Sequence, residues 1–539
     1  MSAVANIPGL YVTAVPRPHE TSPLRSDVAG FAGQTRRGPI MEAIRVEGWR
    51  HYLREFGGLI PDPHTPFALR GYFENGGAVA YIIRLATPSV KSASAQWIVG
   101  TLDARAQTWH PDKSISAGIL AAAYSIEASS PGAWANGLQV GIRYYLQGPS
   151  NLPRLDITVV VDSEPNEYLA GLPLNDPESP VEEQVASLSN LIRLSPLGPT
   201  PPISTTSVLP GPRVRTWNAI VLGGGSDGEP VSRDEYRIAI EKLGDQPEIA
   251  LVTLPDLYNH IASDAERWDL LTDLISRAEV LHDRLVLVDL PSDPSDPSGQ
   301  GDSTHAIEWL GSQGLRGLDD PTPFRSSAAY HPYVLVPDPF GGIAHPLRSI
   351  PPSGHVAGLI SQLDRRRGAH HTPANVELLE VVDVARSFKE EEQAQFLVEG
   401  INPIRCFPGR GLMVWGGRTL ARDVSGRFIA HRRLIHRLVR AIRRVAEPLM
   451  FDTNGPELWL TLKRAITTVL LEAFRAGALK GNQADEAFRV RCDDTTTTAS
   501  DQDEGRVFCE IEVAPAAPME FISIRIALSE EGKLEVFVS

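Results

Sequence analysis

The sequence predicts a multi-domain protein of the α/β (α+β) class with a smaller β-rich domain inserted in it. Two stretches, residues 26–94 and 217–371, alternate runs of β-forming residues with helical patterns, which is typical of parallel β-α-β units. Residues 95–165 consist of short β-forming runs between turns and therefore indicate a small all-β insertion. With 539 residues the chain is long enough for about three or four domains.

Within the two α/β stretches, periodicity and turn residues predict the individual elements. In the first stretch we predict strands and helices at residues 28–32, 46–56, 67–75 and 78–85. In the second stretch we predict strands at residues 217–222, 249–254 and 284–289, and helices at residues 233–243 and 266–281. Strands that are separated by helices in this way favour a parallel sheet.

Composition assigns the remaining segments. Residues 1–25 are rich in proline and lack a core-forming pattern, so we expect an extended arm. Residues 166–216 are rich in proline and serine and predict a linker. Residues 372–519 contain two long helical patterns and further strands, which predicts a C-terminal domain, and residues 520–539 alternate as strands do.

Charge and hydropathy exclude several classes of protein. The chain has 51 Lys and Arg against 66 Asp and Glu, a net charge of −15, which disfavours a protein that coats nucleic acid with a basic surface. It contains no apolar run of membrane-spanning length, and its first residues lack the pattern of a signal peptide. We expect synthesis in the cytoplasm without a signal peptide, no nucleic-acid partner and no direct membrane insertion.

The three cysteines, Cys406, Cys492 and Cys509, show no CxxC spacing and no histidine partner at metal-site spacing. Their odd number and their spacing argue against a disulfide framework and for a reducing compartment. We expect them to be small core residues. We expect neither a metal ion nor a cofactor.

The GGGSDG segment from Gly223 to Gly228 satisfies the GxGxxG pattern of dinucleotide-binding folds and follows a predicted strand. In that fold the last glycine opens a helix, so that the helix N-terminus meets the pyrophosphate. Here three residues intervene, and Ser232 is the better N-cap of the next helix. An α/β enzyme that binds a nucleotide or cofactor at this loop is therefore the weaker alternative, and no residue is assigned a catalytic role.

Six motifs follow one another between residues 326 and 420. They are SSAAYHPYVLV from Ser326, IPPSGHVAG from Ile350, DRRRG from Asp364, TPAN from Thr372, INPIRCFPGRG from Ile401 and VWGGRTL from Val414. This ordered series resembles the contractile tail sheath proteins of phages and of phage-derived contractile injection systems. Further matches, such as PGLYV from Pro8 and FENGG from Phe73, extend the resemblance over nearly the whole chain. Thr372 departs mildly, since the family usually has alanine there.

The resemblance implies a structural subunit and not an enzyme. The expected core is an α/β sheath core built from the N- and C-terminal parts of the chain, into which the β-rich and middle α/β domains are inserted. The expected partners are other copies of the chain in stacked hexameric rings, an inner tube protein, and baseplate and tail-terminator or cap proteins. The assembled product is a phage tail or a contractile injection particle, held in the cytoplasm or released by lysis.

The resemblance also implies that the two chain ends join neighbouring subunits. In the family, the N-terminal arm and the C-terminal strand of neighbouring subunits complete one another's sheet, which is a form of β-augmentation. The residues that we expect in this pairing are Leu10, Tyr11, Val12, Ile522, Ile524 and Ile526. Pairing of both ends inside one chain is the alternative.

An amphipathic helix is predicted over residues 431–447, with apolar residues on one face and arginines on the other. The arginines that recur on the polar face are Arg433, Arg437, Arg440 and Arg444. In the family this region lies near the inner tube, so we expect these arginines to contact an acidic tube surface. A face that is simply solvated is the alternative.

The resemblance implies a mechanism as well. An assembled sheath is a metastable extended state, and subunits that rotate as rigid bodies on flexible arms would shorten it and drive the tube through a target envelope without nucleotide hydrolysis. A structural tube that never contracts is the second alternative.

Overall fold

The computed structural model describes residues 25–103, 108–111, 120–147, 152–161, 164–173, 178–197, 218–291, 302–311, 324–423, 426–516, 522–528 and 534–538. The chain divides into two compact units. The larger unit contains residues 26–436. The smaller unit, called the C-terminal unit below, contains Arg25 and the described part of residues 437–539.

The described strands are β1 (Val28–Gly33), β2 (Ile44–Glu47), β3 (Val79–Arg84), β4 (Ser94–Asp103), β5 (Thr108–Pro111), β6 (Leu120–Ala128), β7 (Gln139–Gln147), β8 (Leu152–Val161), β9 (Glu164–Pro173), β10 (Ile192–Pro196), β11 (Asn218–Val221), β12 (Leu251–Thr253), β13 (Leu285–Asp289), β14 (Ser327–His331), β15 (Val334–Pro337), β16 (Leu347–Ile350), β17 (Val376–Glu377), β18 (Asp383–Val384), β19 (Ile401–Phe407), β20 (Gly411–Val414), β21 (Phe488–Arg491), β22 (Val507–Val513), β23 (Ile522–Leu528) and β24 (Leu534–Val538).

The described helices are α1 (Trp49–Phe56), α2 (Thr65–Glu74), α3 (Val181–Leu188), α4 (Arg233–Gly244), α5 (Leu257–His260), α6 (Asp264–Leu281), α7 (Asp302–Leu310), α8 (Ser353–Arg367), α9 (Glu390–Val398), α10 (Ile429–Ala446), α11 (Pro456–Arg475), α12 (Ala484–Ala487) and α13 (Ala499–Asp503).

Elements with strong periodicity lie where the sequence predicts them. The helices predicted at residues 67–75 and 266–281 correspond to α2 and α6, within two residues at each end. Ser232 is the N-cap of α4, as predicted, and forms a capping box with Glu235. A cap and a repeating apolar face are local signals, which is why the sequence alone locates these helices.

A nine-stranded sheet forms the centre of the larger unit, in the order β17-β20-β19-β14-β13-β12-β1-β3-β2. The strands from β14 through β13, β12 and β1 to β3 run parallel, and β19 adds in parallel to β14. The remaining strands, β2, β17 and β20, pair antiparallel near the edges. This architecture confirms the predicted α/β class.

The central sheet takes its strands from segments that lie far apart in sequence, namely residues 26–94, 217–371 and 372–519. Val28 of β1 pairs with Val79, and the neighbouring Ala29 pairs with Leu251. Pairing across two hundred residues leaves no local trace in the chain, so the sequence predicts these segments separately and the structure joins them.

Helices cover both faces of this sheet, which is the usual arrangement for parallel strands. The aromatic and aliphatic residues that pack on one face come mainly from α1, α2 and α8, and include Tyr52, Phe56, Phe67, Tyr72, Val356 and Ile360. Those that pack on the other face come mainly from α4, α6, α7 and α9, and include Tyr236, Ile240, Leu271, Leu274, Trp309 and Phe396.

The β-rich insertion consists of two four-stranded sheets, β10-β6-β4-β5 and β11-β7-β8-β9. Apolar residues from both sheets share one core, whose buried members include Trp97, Ile126, Val140, Ile157 and Ile192. The predicted linker at residues 166–216 needs correction, because its first part supplies most of β9 and all of α3 and β10 to this domain. Residues 198–217 lie outside the described residues. In the described part of this segment, Pro173 and Pro196 lie at the ends of β9 and β10, where a proline does not interrupt a sheet.

Candidate assembly site

The C-terminal unit carries an antiparallel four-stranded sheet in the order β21-β22-β23-β24. The central strand β22 pairs with β21 on one side and with β23 on the other, and β23 also pairs with β24. Ile511 of β22 lies opposite Ile524, which in turn lies opposite Val538. The two edges of the sheet are therefore β21 and β24.

The residues predicted to pair between subunits fall into two groups. Leu10, Tyr11 and Val12 lie outside the described residues. The others, Ile522, Ile524 and Ile526, lie in β23, where they are opposite Val513, Ile511 and Cys509 of the same chain. Because both sides of β23 are occupied in a single chain, pairing with another copy requires either an exchange of strands or addition at an edge.

A helix supports the inner face of the sheet. Strand β22 buries every second residue, and the buried set is Val507, Cys509, Ile511 and Val513. Helix α11 contacts β21 and buries Leu458, Trp459, Leu462, Ile466 and Leu470. This helix begins at Pro456 and ends at Arg475, and it is followed by Gly477, whose φ of 74° is the left-handed conformation favoured just after a helix end.

Charged residues cover the outer face. Arg491 lies 2.9 Å from the Glu510 carboxylate and 3.4 Å from that of Glu512, and Arg489 lies 3.6 Å from Glu512. These side chains are partly exposed, so each pair contributes at most about 1 kcal/mol to stability. The charged side chains make the outer face hydrophilic. They do not occupy the backbone groups at the edges of the sheet, through which another strand could pair.

Cys492 and Cys509 form a disulfide, which corrects the expectation that the cysteines do not pair. Cys492 follows Arg491, and Cys509 precedes Glu510, so the cysteines occupy the next cross-strand position after the Arg491–Glu510 pair. Their Cα atoms are 4.4 Å apart, and both side chains are buried. The cysteines are 17 residues apart in sequence. The register of the hairpin brings them together, and the sequence alone does not predict that register. Cys406 is free and exposed, so it is not the core residue that we expected.

The arginine-rich helix α10 begins with buried ion pairs. Arg433 is 4% exposed; its guanidinium lies 2.5 Å from the Asp364 carboxylate and donates to the Ser26 carbonyl at 2.8 Å. Its neighbour Arg432 is equally buried and lies 2.6 Å from Glu279. Burial raises the pKa of Glu279, although Arg432 opposes this shift. These pairs fix the first turn of α10 inside the larger unit.

The predicted inner-tube contact therefore needs correction for two of its four arginines. Arg433 is enclosed, and Arg440, which is 1% exposed, donates to the Arg25 carbonyl at 2.6 Å. Arg437 is half-buried and Arg444 is exposed. Spacing along a helix predicts which arginines share a face, but it does not reveal a counter-ion from a distant segment. The one sequence feature that pointed to this buried pair was Asp364 in the DRRRG motif, to which the sequence assigns no role.

The glycine loop is a structural turn. The Gly223 amide donates to the Ser94 carbonyl at 3.2 Å, and the Gly225 amide donates to the Asn136 side chain at 2.8 Å. The helix that follows is capped by Ser232, whose hydroxyl accepts from the Asp234 amide at 3.3 Å and whose own amide donates to Glu235 at 2.9 Å. A phosphate would need free backbone amides in this loop, and those of Gly223 and Gly225 are already bonded within the chain.

The carboxyl ends of the parallel strands, where open α/β sheets usually bind ligands, are filled by the chain's own carboxylates. Asp256 accepts hydrogen bonds from the amides of Gln34 at 2.8 Å, His64 at 2.5 Å and Thr65 at 3.0 Å, at the start of α2. Asp289 accepts from the Ser353 hydroxyl at 2.6 Å. Burial raises the pKa of Asp289 to about 7, although the bonds from Ser353 oppose this.

Neither a metal-binding cluster nor a membrane-spanning helix occurs in the part of the chain that the structure describes. Its His, Cys, Asp and Glu side chains form no cluster that could hold a metal ion. Its helices include none with both the length and the apolar character needed to span a membrane.

Parts of the chain are similar in sequence to known tail sheath proteins. Residues 323–420 match the family described as phage tail sheath protein, central domain. The chain is 27% identical over 181 residues to the tail sheath protein of Vibrio phage KVP40, and 26% identical over 193 residues to that of Enterobacteria phage T4. These stretches cover 33% and 34% of this chain, and 26% and 28% of the two relatives.

The likeness to solved structures extends over nearly the whole chain. The helical sheath of the anti-feeding prophage in its contracted state matches with a TM-score of 0.52 and 22% identity, over 96% of this chain and 98% of that one. A sheath tail protein from Listeria innocua matches with a TM-score of 0.61 and 11% identity, over 94% and 96%. At such identities the likeness is one of fold. Residues 323–420 thus match the central domain of the phage tail sheath family, and the fold over 94–96% of the chain is that of solved sheath proteins.

Proposed function

We propose that this chain is the structural subunit of a contractile sheath. Copies polymerise helically around an inner tube, and contraction of the polymer drives the tube through a target envelope without nucleotide hydrolysis. The main support is the likeness of fold, over 96% of the chain, to the contracted sheath of the anti-feeding prophage. The glycine loop, whose backbone groups are already bonded, gives no support to the enzyme alternative.

A helical polymer needs contacts that repeat from copy to copy and do not close on themselves. The C-terminal sheet offers them through exchange of strands. If β23 of one copy added to β22 of the next, it would keep the seven-residue register that runs from Val507 opposite Leu528 to Val513 opposite Ile522. Each hydrogen bond contributes about 0.5–1.5 kcal/mol net, so the exchanged strand is a link of a few kcal/mol that is repeated at every subunit.

The arm and the tube complete the proposal. We expect Leu10, Tyr11 and Val12 to add as a strand at an edge of a neighbour's sheet, and Arg437 and Arg444 to contact the inner tube. The other partners are baseplate and tail-terminator or cap proteins, and the assembly is a phage tail or contractile injection particle. The anti-feeding prophage baseplate also contains a chain with this fold, at a TM-score of 0.52, which supports a neighbouring baseplate.

Removal of the arm tests the proposal. We would express the full chain and a variant without residues 1–24, and image the pelleted polymers by negative-stain electron microscopy. The full chain is expected to form hollow cylinders, and the shortened chain to remain soluble with unchanged circular dichroism. A finer variant converts Leu10, Tyr11 and Val12 to aspartate, and its control converts Pro16 and Pro18 in the same arm to alanine. Ordered cylinders from the shortened chain would contradict the strand exchange.

A further inference from the structure

One phenylalanine in the C-terminal unit is unfavourable to the isolated chain in two independent ways. Phe451 is 95% exposed, and its φ is 75°. The left-handed backbone conformation is strained for a bulky residue that carries a Cβ. The exposed ring also gains none of the free energy that burial would provide. Glycine at this position would remove both costs, and a strained, exposed aromatic residue therefore points to a contact outside the chain.

The loop that carries Phe451 is held at both ends. It follows a 3₁₀ turn at Glu447–Leu449 and precedes α11. The Trp459 indole donates to the Asn454 side chain at 3.0 Å, and Asn454 donates to the Arg506 carbonyl at 3.1 Å. The ring is thus presented from a fixed base. A partner that buries it would have little loop entropy to overcome.

The charges around Phe451 specify what such a partner offers. Glu447, Asp452 and Glu457 are exposed and lie within six residues of Phe451 in the sequence, and residues 445–457 contain no lysine or arginine. An aromatic side chain with an acidic rim fits an apolar surface that is bordered by basic residues.

A second copy of this chain provides such a surface. Helix α8 ends in the exposed residues Arg365, Arg366 and Arg367. Arg365 donates to the Gly76 carbonyl, and the adjacent Asn75 donates to the carbonyl of Leu379 at 3.0 Å. Leu379 is 45% exposed, so an uncovered apolar side chain lies in the segment that is bonded to Asn75, next to the Gly76 carbonyl that Arg365 contacts.

We propose that Phe451, with its rim of Glu447, Asp452 and Glu457, contacts the Arg366–Arg367 end of α8 on a second copy. The two surfaces differ, so the contact is heterologous and repeats along a polymer without closing. The inference rests on the proposed sheath function, to which it adds a named subunit interface.

The first test separates folding from assembly. Phe451→Gly is expected to leave the urea midpoint of the monomer unchanged or higher, because glycine adopts a left-handed backbone without strain. The same variant should yield about tenfold less polymer in the pellet at equal concentration, as for a loss at an interface hot spot. Leu460→Ala, at a residue of the same unit that is 47% exposed, is the matched control and should assemble normally.

The second test identifies the partner surface. Arg366→Glu combined with Arg367→Glu should reduce polymer as Phe451→Gly does. Reversal of the rim by Asp452→Lys with Glu457→Lys should restore polymer in that background. Normal cylinders from Phe451→Gly, or a failure of the reversed rim to restore assembly, would overturn the contact while the sheath function stands. If the variants form normal cylinders alone and fail to assemble only around the inner tube, the Phe451 side chain contacts the tube and the inference is wrong. A wild-type chain that forms no cylinders removes the basis of both proposals.

Discussion

At the scale of single residues, the most consequential groups are buried charges, which the sequence presents as surface residues. Arg433 and Asp364 are both 4% exposed and lie 2.5 Å apart. Both charges have lost most of their hydration, and each depends on the other to offset that loss. The pair joins the start of α10 to the end of α8, and we expect it to be structural and not a contact for a partner.

Removal of Asp364 tests this assignment. Asp364→Ala should lower the free energy of unfolding by about 3–5 kcal/mol, because it leaves a buried guanidinium without its counter-ion. Asp269→Ala, which removes a 2.7 Å pair with Arg233 on the exposed surface of the same unit, should cost less than about 1 kcal/mol. Urea denaturation measures both, and equal losses would show that the Arg433 pair is as weak as a surface pair.

Because Asp289 is buried, we expect the stability of the larger unit to fall as the pH rises. Burial raises its pKa from 3.8 to about 7, so the folded chain holds a proton that the unfolded chain has released. The resulting stability is fully present below pH 3.8 and is lost as the pH rises to about 7. The difference between the pKa values of the folded and unfolded chain corresponds to roughly 4 kcal/mol.

We therefore expect wild type to lose stability relative to Asp289→Asn between pH 4 and 7, with a constant difference above pH 7.5. Urea midpoints of the two proteins over this range measure the difference in stability. The contributions of all other titrating groups are the same in both proteins and cancel. A difference that does not change with pH would show that Asp289 titrates normally.

At the scale of elements, the hairpin of β21 and β22 is the scaffold on which β23 and β24 assemble. The acidic run between the two strands contains the short helix α13, whose N-cap Thr498 pairs with Asp501. The disulfide between Cys492 and Cys509 closes the same loop, and it constrains the unfolded chain as well as the folded one.

The disulfide makes a quantitative prediction. Closure of a loop of this length is worth about 3 kcal/mol, so dithiothreitol should destabilise the C-terminal unit of the wild type by that amount. The double change Cys492→Ser and Cys509→Ser should remove the response to dithiothreitol, whereas Cys406→Ser should retain it. The measurement is the urea transition with and without reductant. A response that survives the double change would assign it to another group.

At the scale of the whole molecule, the proposed work is done by rearranged contacts between copies and not by chemistry. The carboxyl ends of the central sheet are filled by Asp256 and Asp289, and the glycine loop is bonded to its neighbours. Under the proposed function, the energy for movement is stored in the assembly, as a polymer whose extended form is metastable.

Contraction is therefore expected to proceed without nucleotides. Extended particles that have been treated with apyrase should shorten and widen after a trigger as fully as untreated particles, because no bound nucleotide takes part. Sheath length and diameter in electron micrographs measure this. Particles that keep one diameter under every condition would favour a static tube, and saturable micromolar binding of a nucleotide in calorimetry would favour an enzyme.

The sequence by itself determined helices such as α2, α4 and α6, the N-cap at Ser232 and the short motifs that resemble tail sheath proteins, because each of these depends on residues close together in the chain. Only the tertiary structure decided that Val28 pairs with Val79 while Ala29 pairs with Leu251, that Arg433 meets Asp364, and that Cys492 meets Cys509. Periodicity records which face of an element is buried, but it does not record what that face meets. The partner is chosen when distant segments pack together, and a buried charge or thiol is matched only there.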